Sequence, residues 1–270
     1  MNAREIIETA LTNYCGDKRL QKTNDLIISG NAETEVTGVV TTFMATAEVI
    51  RKTIDMGFNM IITHEPTYFT GEDLTDWLRD DPIYLAKKKL IEDSHLVIWR
   101  FHDHMHMQKE DMIYEGLLKK AGWGFRPIEN QERPLCYEIE EMTFGDLVEL
   151  IKEKWSMNVI RTIGKPDVRC RRIGILVGAY GMGIMGRHQM PMELMKEMDL
   201  DAVICGEVLE WTLCAYVNDA SNLGFNKALI VAGHERSEEW GMEYLAGWLR
   251  PMLRDVPVTF VDAKEPFQYR

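Results

Sequence analysis

Short apolar runs alternate with amphipathic helical stretches along nearly the whole chain, and no other feature restricts its fold as tightly. "NAREIIETALTNY" (2–14) opens with Asn2 as a cap and continues at helical spacing. "EVTGVVTTF" (35–43) reads as a strand and "ATAEVIRKTIDMG" (45–57) as a helix closed by Gly57. "NMIITHE" (59–65) has the continuous apolar character of a buried parallel strand. "DDPIYLAKKKLIEDS" (80–94) starts a helix at Pro82, "HLVIWRFH" (95–102) is a strand, and "EDMIYEGLLKKAGW" (110–123) a helix stopping at Gly122. Polar residues and two prolines interrupt the rhythm over 123–142, the expected place for a domain boundary or crossover. The alternation then resumes through "TFGDLVELIKEKW" (143–155), "RRIGILVG" (171–178), "QMPMELMKEMDL" (189–200), "DAVICGE" (201–207), "WTLCAYVNDASNLG" (211–224), "KALIVAGHE" (227–235), "SEEWGMEYLAGWLRPML" (237–253) and "VPVTFVD" (256–262). The pattern predicts an α/β fold of two halves, 1–125 and 126–270, each a mostly parallel sheet flanked by helices, or the two interleaved as one compact unit. "MIITHE" and "LIVAGHE" echo one another as strands that end in His-Glu, which suggests that the halves are related.

Charge and cysteine usage narrow the function classes. The net charge of -12 argues against a nucleic-acid or anionic-membrane binder, whose footprint is basic. No stretch approaches the ~18 apolar residues of a membrane span, and the first 20 residues lack the apolar core of a signal peptide. The five cysteines lack CxxC spacing and read as reduced thiols, so the expected compartment is the cytoplasm.

In open α/β sheets, ligands bind beyond the carboxyl ends of the strands. Three of the expected strands end in groups that can hold a metal: His64-Glu65, His102 through His106, and His234 with Glu238. Period 2 along an extended strand would set His102, His104 and His106 on one side. The i, i+4 spacing of His234 and Glu238 would set both on one face of a helical turn. Imidazole with carboxylate suits Zn²⁺, Fe²⁺ or Mn²⁺, and the group count suits two ions. Each piece also has an ordinary reading, as a capping pair, an exposed polar strand face or a solvated helix face. It is their recurrence at strand ends that favours a site. His95 and His188 lack such company and read as structural.

At these segments, "THEPTYF", "FHDHMH" and "AGHERSEEWG", the chain resembles the NGG-one-interacting-factor-three-like dinuclear-metal family, also labelled GTP cyclohydrolase I type 2. That family carries His-His-Pro after an early strand, His-x-x-x-Asp in the middle and Gly-His-x-x-x-Glu near the carboxyl end. Two positions depart from it: Glu65 stands for the second histidine and His106 for the aspartate. The departures read as an exchange that keeps three imidazoles and two carboxylates, with a decayed site as the alternative. The resemblance implies metal ligands His64, Glu65, His106, His234 and Glu238. His102, Asp103 and His104 are then catalytic or orienting candidates, with a structural role for His104 as the other option. Glycines 178, 181, 183 and 186 in "GILVGAYGMGIMGRH" (174–188) fit an anion-cradling nest or a plain connecting loop. With the resemblance, Gly181, Gly183, Arg187 and Glu207 are expected to line a substrate.

By the same resemblance, the expected activity is that of a metal-dependent hydrolase with two divalent ions (Zn, Fe or Mn) activating a water. Its small-molecule substrate would be a cyclic amide or nucleotide, and its assembly a homohexamer. The rival is a non-catalytic metal-binding scaffold, regulatory protein or metal chaperone.

Overall fold

The computed structural model describes residues 1–107, 111–122, 124–129, 131, 135–183 and 190–270. The chain packs as two units, Met1–Gly116 with Glu239–Ala263, and Leu117–Glu238 with Lys264–Arg270.

The first unit holds α1 (Ala3–Cys15), β1 (Ile27–Ser29), β2 (Val39–Thr42), α2 (Ala47–Asp55), β3 (Met60–Thr63), α3 (Pro82–Asp93), β4 (Val97–Arg100) and α4 (Asp103–Met107). α5 (Met112–Ala121) begins in this unit. Its helices start where local chemistry satisfies their first N–H groups. Asn2 and Glu5 form a reciprocal capping box on α1, Thr46 caps α2, and the Asp81 carboxylate accepts from Ile83 and Tyr84 with Pro82 opening α3. The sheet order is β1-β4-β3-β2-β11, where β11 (Val258–Phe260) closes the far edge. β4, β3, β2 and β11 run parallel, and β1 pairs antiparallel with β4. Every residue of β2, β3 and β4 is buried, as expected where both faces are covered. Val40, Ile50, Ile61, Ile91 and Ile98 form the core of this unit, and Trp99 stacks on Phe101 at 4.6 Å.

The second unit contains β5 (Arg126–Pro127), β6 (Cys136–Thr143), α6 (Phe144–Lys154), β7 (Arg161–Ile163), β8 (Arg169–Leu176), α7 (Pro191–Glu197), β9 (Ala202–Cys205), α8 (Ala215–Asn222) and β10 (Ala228–Val231). α9 (His234–Leu249) begins here and continues into residues of the first unit. The sheet order is β5-β6-β8-β9-β10-β7. β8, β9 and β10 are parallel at its centre, with antiparallel β5, β6 and β7 outside them. Leu176, Val203, Leu213, Val217 and Leu229 sit in its core.

The architecture is the α/β arrangement of two helix-flanked sheets that the alternation predicts, parallel through β4-β3-β2-β11 in the first and through β8-β9-β10 at the centre of the second. Four local differences have physical causes. β6 lies in the segment read as an interruption. Its Glu-rich sequence is buried at Cys136, Tyr137 and Ile139 but exposed at Glu140 and Glu141, so the continuous apolar signature is missing. β1 and β7 are three-residue edge strands, too short to show a period. The 211–224 stretch does not run as one helix, because the backbone kinks at Thr212 (φ -108, ψ -105) within Glu210–Cys214, ahead of α8. The fourth difference, at His102–His106, bears on the site. No described helix is long and apolar enough to cross a membrane.

Candidate metal centre

β3 and β4 are interior neighbours in the first sheet, so their carboxyl ends deliver His64 and His102 side by side. The chain after β4 does not continue as a strand. Residues 103–107 coil into α4, and the His106 N–H bonds the His102 carbonyl at 3.3 Å. The expected strand face bearing all three histidines is therefore replaced by a helical turn. Positions 102 and 106 share one side of such a turn, while 104 points away. The ring centroids of His64, His102 and His106 lie 4.6 to 5.0 Å apart.

Each ring is oriented by an oxygen at Nδ1. His64 Nδ1–H donates to the Phe101 carbonyl at 3.2 Å, His102 to Asp103 Oδ1 at 2.8 Å, and His106 to Asp111 Oδ2 at 2.8 Å. These acceptors select the tautomer that carries its lone pair on Nε2. Nε2 of His64 and Nε2 of His106 then face each other at 3.1 Å, inside a site where His64 is fully buried. Two lone pairs at that distance repel unless a cation, proton or metal ion, joins them. The ligating atoms of His64, His102 and His106 all lie within 4.8 Å of one another, a donor set that fits a divalent ion. Glu65 Oε1 is 3.6 Å from His102 Nε2, so His102 has a carboxylate at each nitrogen. Asp103 is held ionised, its carboxyl pushed well below the usual range chiefly by the His102 hydrogen bond, with Asn24 N–H and Thr23 hydroxyl on its other oxygen.

In the second unit two residues separate the parallel strand β10 from His234, and α9 starts on that histidine. His234 Nε2 lies 3.1 Å from Glu238 Oε2 one turn along, and its Nδ1 lies 3.5 Å from Glu207 Oε2. Gly178 leaves room for this pair. It adopts φ +53, and a Cβ there would sit 2.9 Å from His234 Nε2 and crowd Glu238 Oε1 still more closely. Its N–H donates to Ser237 Oγ at 2.9 Å, which anchors the loop after β8 to the first turn of α9.

Of the residues named from sequence, His64, Glu65, His102 and His106 converge in the first unit; His234, Glu238 and Glu207 do so in the second. Asp103 orients His102. His104 is turned away, bonded to Asp25 and the Leu20 N–H. A Cβ on Gly181 would crowd the Glu207 carbonyl and lie 3.0 Å from Cys205, and Gly183 takes a left-handed turn beside Met190. Arg187, Gly186 and His188 lie outside the described residues. Sequence reasoning missed Asp111 and Asp25. Asp111 stands five residues from His106 with no motif to mark it, and Asp25 lies 79 residues from the histidine it holds.

The chain is 25% identical over 249 residues to a protein of Campylobacter jejuni named GTP cyclohydrolase 1 type 2 homolog, covering 91% of this chain and 90% of that one. It is 24% identical over 264 residues to a Clostridium perfringens protein of the same name, covering 90% of each. A solved structure of Staphylococcus aureus protein SA1388 superposes with TM-score 0.75 at 21% identity, over 100% of this chain and 99% of that one, a likeness of fold. Residues 1–266 match the family described as Duf34/NIF3 (NGG1p interacting factor 3), and the chain belongs to that family.

Proposed function

We propose that the protein is a metal-dependent hydrolase of the two-metal kind, acting on a cyclic amide or a nucleotide. The observation that carries this reading is the pair of Nε2 lone pairs opposed at 3.1 Å, with both Nδ1 positions engaged by oxygen acceptors. His64, Glu65 and His106 would hold metal in the first unit, and His234 and Glu238 in the second. Divalent ions bound there would lower the pKa of a water toward neutrality and polarise the scissile group. His102 is assigned proton transfer. Its ring is partly exposed, Asp103 fixes its Nδ1–H, and its Nε2 faces Glu65. The name carried by the Campylobacter and Clostridium relatives makes GTP the first substrate to try.

The test is metal content per chain by mass spectrometry, followed by incubation of the loaded protein with GTP and with simple cyclic amides. Two ions per chain and metal-dependent ring opening are expected. Metal without turnover of any of these would replace the hydrolase by a non-catalytic metal binder. No metal after reconstitution would end both readings.

A further inference from the structure

The side chain of Asp25 is fully shielded from solvent, and both its oxygens serve one short stretch of chain 77 to 79 residues away. Oδ1 accepts the backbone N–H of His102 at 2.7 Å and that of Asp103 at 2.8 Å. Oδ2 accepts the backbone N–H of His104 at 3.0 Å and its ring Nδ1–H at 2.6 Å. The opposite nitrogen of that ring, Nε2, accepts the Leu20 N–H at 3.0 Å. Both ring nitrogens are therefore engaged within the protein, and neither is left for an ion.

α4 has five residues, far below the ~12–15 that let a helix hold itself in water. Its first N–H groups have no partner within the helix, and here the donors at 102, 103 and 104 are taken by one carboxylate from elsewhere in the chain. That carboxylate thereby sets where the turn begins. The position of the turn sets where His102 and His106 point, and catalytic and ligand rings must be placed to within about 0.5 Å to be useful. Tyr14 supports the same stretch, donating from its hydroxyl to the Met105 carbonyl at 2.9 Å and accepting the Met112 N–H at 3.1 Å.

We infer that Asp25, acting through the backbone of 102–104 and the His104 ring, is the positioning residue of the His102–His106 arm of the metal centre. The inference rests on the reading of that site as a metal centre. It gives the middle histidine of the HxHxH stretch a definite task, as a strut that braces the turn rather than a ligand.

Asp25→Asn keeps the shape but turns one acceptor into an N–H donor facing N–H groups. Co²⁺ titrated into the metal-free full chain, followed by its visible d–d absorption, reads affinity and coordination geometry independently of any activity. Asp25→Asn is expected to weaken Co²⁺ binding by about 10–100-fold and to change the band pattern. His104→Asn can still donate to Asp25 but cannot keep the Leu20 bond, and should fall between Asp25→Asn and the wild type. A folded Asp25→Asn protein with wild-type affinity and spectrum would overturn the positioning role and leave the metal centre standing. No Co²⁺ uptake by the wild type would remove the metal centre itself, and the role with it. If circular dichroism showed both variants unfolded, Asp25 would be a stability residue and the inference would fall.

Discussion

His106 and Glu65 are the residues where this chain departs from the motifs it resembles, and both lie beside His102. His106 carries its own carboxylate partner, Asp111 at 2.8 Å, so anionic charge stands behind the ring. His106→Ala should cut the metal content by one ion per chain; a variant that keeps the full complement would refute the exchange of ligands. Asp111→Asn leaves the ring in place but no longer fixes Nδ1–H. Competition with a chromophoric chelator should show its metal affinity down about 10–100-fold.

A third residue-scale prediction concerns Lys87, whose amine is largely buried and donates to the Thr67 carbonyl at 2.6 Å. Burial pulls its pKa from 10.5 down to about 8, against a smaller opposing pull from Asp73. Between those values the unfolded chain binds the proton that the folded chain has released. This residue therefore makes stability rise with pH from about 8 to 10.5. Urea unfolding at pH 7.5 and 9.5 should show that rise in the wild type relative to Lys87→Met, and equal pH slopes for the two would contradict it.

At the scale of elements, α5 and α9 cross in the first unit through glycine. A Cβ on Gly116 would lie 2.6 Å from Gly241 Cα, and one on Gly241 would lie 2.6 Å from Ile113 Cα, backbone contacts that cannot give way cheaply. Gly241→Ala should lower stability by about 1–3 kcal/mol, measured as a fall in the thermal midpoint. An unchanged midpoint would mean that the helices separate freely.

Elements also show where sequence reading succeeds and where it stops. β2, β3, β4, β9 and β10 were legible because burial on both faces makes their sequences continuously apolar. α4 was not: alternating histidines fit a strand by period and a helix by i, i+4 equally well. The contact that decides for the helix comes from Asp25, on the loop before β1. The placement of three His-bearing segments at strand ends was legible, whereas the oxygen partners that set each ring were not, except Asp103 beside His102.

At the scale of the whole molecule, resemblance to the family carries the proposal of a homohexamer. Sedimentation equilibrium should find six 31.3 kDa chains per particle, and a monomer would refute it. The five cysteines are all free, and burial raises the thiols of Cys136 and Cys170 to about 12. Assembly and metal binding are therefore expected to be the same with and without reductant.

The amino-acid sequence by itself determined the α/β class, the parallel strands, the helix starts and the chemistry available at the strand ends. These come from period, capping and side-chain type, which act over a few residues. Tertiary structure alone decided that Val258–Phe260 pairs with Val39–Thr41, that Asp25 grips residues 102–104, and that His104 turns away while His102 and His106 face His64. Each of those contacts joins residues far apart in the chain, and a hydrogen bond across such a separation leaves no local pattern to read.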